Sequence, residues 1–166
     1  MPGGSTPTGS TRWDSSWPRS LEPEAKRSLE AYFLERFGVE PEVLSRFSLM
    51  RRGHTIYLLS AFQADTEPAA GLRVVSAGLP FARKVGRYLK PTSSALRLLD
   101  DWITRNRLRL EPVEALELLR EGQISLEHGL AEGYVLLESS GLALGCGLAL
   151  PGRIKSQIPC REISRD

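Results

Sequence analysis

Cysteine and histidine are scarce in this chain. Its 166 residues contain only Cys146, Cys160, His54 and His128. Two cysteines cannot build a disulfide scaffold. No His/Cys group stands at zinc-ligand spacing either, so the expectation is two free, buried thiols and no metal. Long apolar runs are also missing. The longest uncharged stretch, residues 139–151, contains three glycines and is too short to cross a bilayer. The first residues are rich in Gly, Ser, Thr and Pro without an apolar run, so no signal peptide is read there. These features imply a soluble, cytoplasmic protein with no membrane contact.

Enzyme signatures are equally thin. There is no GxxxxGK[ST] phosphate loop. Gly145-Cys146-Gly147 opens like a dinucleotide fingerprint, but the third glycine is absent and the glycines sit inside a strand pattern. Such glycines mark close backbone packing or a bulge. Pro159-Cys160 matches the nucleophile dipeptide of RNA cytosine-5 methylases, yet no strand is followed by the glycine-rich turn a methyl donor needs. Neither histidine falls in a recognisable nucleophile motif. Glu114, Glu117 and Glu121 recur at helical spacing and read as a solvated face. The expectation is a non-catalytic protein without a cofactor.

What the chain does have is an ordinary globular mix, 41% hydrophobic and 25% charged, enough for a core. Its charges are segregated. Residues 71–110 hold nine Lys/Arg against two acids, and residues 111–150 hold seven Glu against Arg120. The net charge of +2 therefore hides a basic face suited to a polyanion.

Residues 1–20 read as a flexible leader whose Trp13 and Trp17 could dock on the body or on a partner. A helix is predicted over 23–37, from Pro23 at its first turn to the stop at Gly38, with Leu29, Tyr32, Phe33 and Phe37 on one face. A helical turn follows at 41–47. Arg51-Arg52-Gly53-His54 reads as a basic turn, then residues 55–60 as a strand, 63–70 as a loop and 72–76 as a strand. Residues 78–91 form a charged loop or irregular hairpin. Ser93 or Ser94 caps a helix reaching Ile103. Residues 107–110 alternate like a half-buried strand. A short helix at 112–120 and strands at 134–138, 142–150 and 153–158 complete an α+β protein in two lobes, residues 21–103 and 104–166.

The binding chemistry concentrates in residues 81–90, where Arg83, Lys84, Arg87 and Lys90 interleave with Phe81 and Tyr88. Cationic groups neutralise phosphates, and aromatic faces stack on unpaired bases. Phe81 itself fits the core. Arg97 extends this group. A second group comprises Arg153, Lys155 and Arg161 with Gln157 beside them. A third comprises Arg51, Arg52 and His54.

Residues 78–96, through Gly78-Leu79-Pro80, Lys84, Gly86-Arg87 and Leu89-Lys90-Pro91-Thr92, resemble the segment before the PUA domain in archaeal Sun-family RNA cytosine methylases. Gly133-Tyr134-Val135, then Leu144-Gly145-Cys146-Gly147, then Lys155-Ser156-Gln157-Ile158-Pro159 resemble the PUA barrel of the same tails. The plan is also similar to small two-domain ribosome-biogenesis factors. The resemblance spans Leu29 to Pro159 and leaves out the methylase catalytic domain. It implies a mixed pre-PUA lobe and a PUA-like β pseudo-barrel, with RNA contact around residues 110–122 and 153–158. The glutamates of 114–121 oppose phosphate contact, which shifts the expected work to residues 83–97. The expected function is binding of ribosomal or transfer RNA in RNA modification or ribosome biogenesis. The alternatives are a protein–protein adaptor in a ribosome-assembly complex, using Trp13, Trp17 and the acidic helix, and an RNA-binding subunit of a separate methylase.

Overall fold

The computed structural model describes residues 19–60, 78–86 and 88–159. Leader residues 1–18 with Trp13 and Trp17, the expected loop 63–70 and strand 72–76, Arg87, Cys160 and Arg161 lie outside these.

Two five-stranded sheets form the frame of an α+β fold. The first is antiparallel in chain order: β1 (Arg19–Ser20), β2 (Phe47–Arg52), β3 (Thr55–Ser60), β4 (Leu79–Val85) and β5 (Tyr88–Pro91). The second is built from β6 (Arg107–Arg109), β7 (Gln123–Ser125), β8 (Gly133–Ser139), β9 (Leu142–Leu150) and β10 (Arg153–Ser156). Its spatial order is β6-β8-β9-β10-β7, with β6 parallel to β8 and the other pairs antiparallel. Neither sheet closes into a barrel.

Helix α1 (Pro23–Phe37) has the predicted bounds. Proline costs nothing at a first turn that has no N–H partner. Gly38 takes φ 67°, where its N–H and that of Val39 bond the Leu34 and Phe33 carbonyls. Leu29, Phe33 and Phe37 are buried, and the Phe33 ring stacks on Phe81 with centroids 4.8 Å apart. Helix α2 (Pro41–Ser45) ends before Phe47, which opens β2 instead of closing a helical turn. Arg51 and Arg52 end that strand, and only Gly53-His54 makes the turn.

The charged segment 78–91 is a hairpin. It carries a bulge opposite Ile56 and Tyr57, where Phe81 is the extra residue. The bulge lets Phe81 and Ala82 both face the core, although they are sequence neighbours. Helix α3 (Ser93–Leu98) is capped by Thr92, not by Ser93 or Ser94: the Thr92 Oγ1 accepts from the Ala95 N–H at 3.0 Å. Ser93 is buried, and its hydroxyl accepts from the Cys146 N–H at 3.1 Å. The helix stops at Leu98, followed by a 3-10 turn at Asp100–Trp102. Helix α4 (Pro112–Glu121) begins in a reciprocal capping box between Glu111 and Glu114.

The two lobes share sheet surface. The first core joins α1, α2, α3 and the first sheet, and it also takes in Leu136 and Cys146 from β8 and β9. The second gathers Val135, Leu137, Ala149 and Ile154 under Leu118 of α4. Strand β8 thus sends alternate side chains into different cores, so the second sheet lies between the first lobe and its own helix. Gly145 and Gly147 make this packing possible. A Cβ on Gly145 would meet Ser93 at 2.7 Å, and one on Gly147 would meet Leu137 at 2.7 Å.

Candidate nucleic-acid interface

Strand registers line up the cations of the first sheet. Arg52 pairs Thr55, Thr55 pairs Arg83, and Arg83 pairs Lys90. Residues directly opposite in a ladder share a face, so Arg52, Arg83 and Lys90 form one row over four strands, ~14 Å wide at the usual strand spacing. Arg51 pairs Arg19 in the neighbouring row at the opposite edge of the sheet. Lys84 is exposed on the other face of β4, and its N–H bonds the His54 carbonyl in the adjacent turn.

The C-terminal group meets this row. The Lys90 Nζ donates to the Gln157 Oε1 at 2.6 Å, although 67 residues separate them. The Gln157 N–H bonds the Cys146 carbonyl, continuing the β10 pairing past Ser156. Along that extended segment Arg153, Lys155 and Gln157 alternate with buried Ile154 and so share a side. The line runs from Arg52 through Arg83, Lys90 and Gln157 to Lys155 and Arg153, crossing from one lobe to the other.

Among the described residues, Arg19, Arg51, Arg83, Lys84, Lys90, Arg153 and Lys155 make no ion pair with a described acid. Two of the cross-strand pairs, Arg83 with Lys90 and Arg19 with Arg51, set like charges directly opposite each other. The acids act elsewhere. Glu138, buried on β8, holds Arg107 through two hydrogen bonds of 2.8 and 3.1 Å and lies 3.5 Å from Arg109. Arg107 also meets Asp100 at 2.7 Å. Burial alone would lower the Arg107 pKa, but the bonds and charges of Glu138 and Asp100 outweigh it and leave the guanidinium above its ordinary value.

Other cations join the lobes. Both Nε and Nη2 of Arg97 donate to the Leu144 carbonyl, at 2.9 and 2.6 Å. An arginine expected to meet phosphate is therefore engaged in binding α3 to β9. Arg36 bonds the Tyr134 and Ala131 carbonyls, and Asn106 donates back to the Arg36 carbonyl at 2.6 Å. Burial pulls the Arg36 pKa down, partly offset by Tyr32. Sequence reasoning gave no role to Arg36, and its spacing on α1 carries no signal for a partner on β8.

Exposed apolar side chains include Leu142, on β9 just past the turn from β8, and two pairs. Val85 and Tyr88 pair across the hairpin tip at 50% and 59% exposure. Val113 and Leu116 stand on α4 at 75% and 59% exposure, next to Glu114 and Glu117. A shallow cleft of about 330 Å³ opens at the start of α4, lined by Arg109, Glu111, Glu138 and Ser140. Its two glutamates are spent on the capping box and the arginine network.

The Cys146 thiol is buried, and burial pushes its pKa up to about 12 despite the opposing charge of Lys90. A thiol held neutral is a poor nucleophile. No group of His, Cys, Asp and Glu that could hold a metal occurs among the described residues. No described helix is long and apolar enough to cross a membrane. No protein-family profile matches the chain, and no curated protein is significantly similar to it.

Proposed function

We propose that this chain binds structured RNA, ribosomal or transfer, without catalysing a reaction on it, as an accessory to RNA modification or ribosome biogenesis. One observation carries the reading: Arg83 and Lys90 stand directly opposite on adjacent strands, with no described carboxylate to neutralise them, at the point where the row of the first sheet meets Gln157. Like charges so placed repel and destabilise the sheet. A polyanion laid along the line from Arg52 to Arg153 removes that repulsion and releases its own counterions.

The finer fold reading is a pre-PUA lobe followed by a PUA-like domain. A five-stranded second sheet with α4 inserted between β6 and β7 supports it, as does the Lys155-Ser156-Gln157-Ile158-Pro159 ending. Contact begins with backbone phosphates and the shape of the RNA, through Arg83 and Lys90 together with Arg87, helped by Lys155 and Arg153, while Lys84 serves from the other face of β4.

The test is to crosslink the protein to RNA in cells and sequence what is attached, alongside affinity for the recovered RNA across a salt series. The reading requires enriched RNA and an affinity that falls steeply as salt rises. Background-level recovery overturns it. A second reading, a protein partner on α4, is favoured by exposed Val113 and Leu116; that contact would persist at high salt.

A further inference from the structure

We infer that the outer face of α4, with the β8–β9 turn beside it, docks a second protein through a basic amphipathic segment of that partner. The inference goes beyond RNA binding and does not depend on it. It gives the protein contact on α4 its chemistry.

Helix α4 has two unlike faces. Ala115 and Leu118 are buried in the second core, Leu118 completely. On the outer side Val113 and Leu116 stand mostly in solvent. They are three residues apart and therefore neighbours on successive turns. Leu142 is a third exposed apolar side chain, and one cleft relates it to the helix. Pro112 and Gly141 both line that cleft, and Val113 and Leu142 are the residues that follow them. Single exposed apolar residues are ordinary on a protein surface, whereas a group of them marks a contact site.

The charges of α4 say what covers this group. Residues 111–121 hold Glu111, Glu114, Glu117 and Glu121 against Arg120 alone. Glu111 and Glu114 close the capping box. Glu117 and Glu121 are exposed and make no ion pair with a described residue. Glu117 follows Leu116 and lies four residues from Val113, so apolar and anionic groups share one stripe. Such a stripe repels a polynucleotide or an anionic lipid surface. A helical segment whose apolar residues are flanked by Lys or Arg matches both the patch and its border.

The patch and the cationic line lie on opposite sides of the second sheet. Ile154 of β10 joins Leu118 in the second core, and Arg153 and Lys155 alternate with it along the strand. One molecule can therefore hold RNA on one side and a protein on the other.

The experiment places the photoreactive residue p-benzoylphenylalanine at position 116 of the full chain in cells, with position 24, exposed on α1, as the control. Mass spectrometry reads the attached segment. The expected result is a segment of another protein, attached from position 116 and not from 24, with Lys or Arg flanking its apolar residues. That segment, made as a fluorescent peptide, then gives Kd by anisotropy for wild type, Leu116→Ala and Glu117→Lys, with circular dichroism confirming each fold. Leu116→Ala should bind about ten-fold more weakly, and Glu117→Lys, which sets like charges face to face, at least as much. The affinity of Leu116→Ala for a blunt RNA duplex should match wild type. No segment above the control, an acidic segment, or a second copy of this chain overturns the proposal. Equal peptide affinity in Leu116→Ala and wild type, or an equal loss on peptide and RNA, overturns it too. Wild type binding the peptide but no RNA at low salt overturns the RNA reading and leaves the docking site standing.

Discussion

Lys90 on the last strand of the first sheet holds the side-chain carbonyl of Gln157, at the end of the second sheet, through one hydrogen bond of 2.6 Å. This contact joins two cationic groups that lie far apart in the chain. It uses a neutral acceptor, so the full charge of Lys90 survives.

Gln157→Glu should therefore move stability and RNA affinity in opposite directions. A carboxylate at this half-buried site pairs with Lys90 and adds up to ~1 kcal/mol of stability. It also cancels one cation of the line. The slope of log Kd against log salt should then shrink by about 0.9 for a duplex contact. Thermal melting and filter binding over a salt series measure the two effects. A simultaneous gain in both would show that Lys90 meets no phosphate.

Phe33→Ala tests the first core. Its ring is fully buried and stacked on Phe81. Truncating a buried Phe costs about 3–5 kcal/mol from lost burial and the cavity left behind. Urea unfolding should show this as a lower midpoint with an unchanged slope.

Much of this arrangement was legible in the sequence. Pro23 and Gly38 bracket α1 because each suits only its own end of a helix. The tight turns at Ser140-Gly141 and Pro151-Gly152 delimit β9. Strand β2 was hidden because it starts one residue after α2 and because Arg51-Arg52-Gly53 looks like a turn when the β3 partner is not considered. Strand β7 has only three residues and no period to read. The duties of Arg36, Arg97 and Arg107 depend on partners 98, 47 and 31 residues away. A count of cations by segment therefore gives the sign of the charge but not its use. Strand β8 reads as a plain apolar run because both of its faces are covered, each by a different core.

Gly145→Ala and Gly53→Ala separate crowding from backbone strain. Both positions have positive φ, 138° and 56°. At Gly53 an added Cβ meets open space, so the cost is that of left-handed backbone, ~1 kcal/mol. At Gly145 the Cβ also strikes Ser93 at 2.7 Å, at the joint where the Ser93 hydroxyl holds the Cys146 N–H. Gly145→Ala should lose at least ~2 kcal/mol more, since overpacking adds to the strain. Equal melting temperatures for the two variants would mean that the α3–β9 joint yields freely.

Cys146 should leave a signature in alkaline stability. Burial raises its pKa from the ordinary 9.0 to about 12, with Lys90 pulling the other way. Between those values the unfolded chain releases a proton that the folded chain keeps. Unfolding is then favoured as pH rises, so the wild type loses stability from about pH 9 upward. Tyr32 and Tyr134, both raised mainly by burial and further by Cys146, act in the same direction starting from the ordinary tyrosine value of 10.0. Comparing wild type with Cys146→Ala isolates the thiol: urea midpoints measured from pH 8 to 10 should fall more steeply for the wild type. Ellman's reagent on a Cys160→Ser background adds a second measure, because the one remaining, buried thiol should react only as fast as the protein opens. Parallel pH profiles together with rapid native labelling would place Cys146 in contact with water.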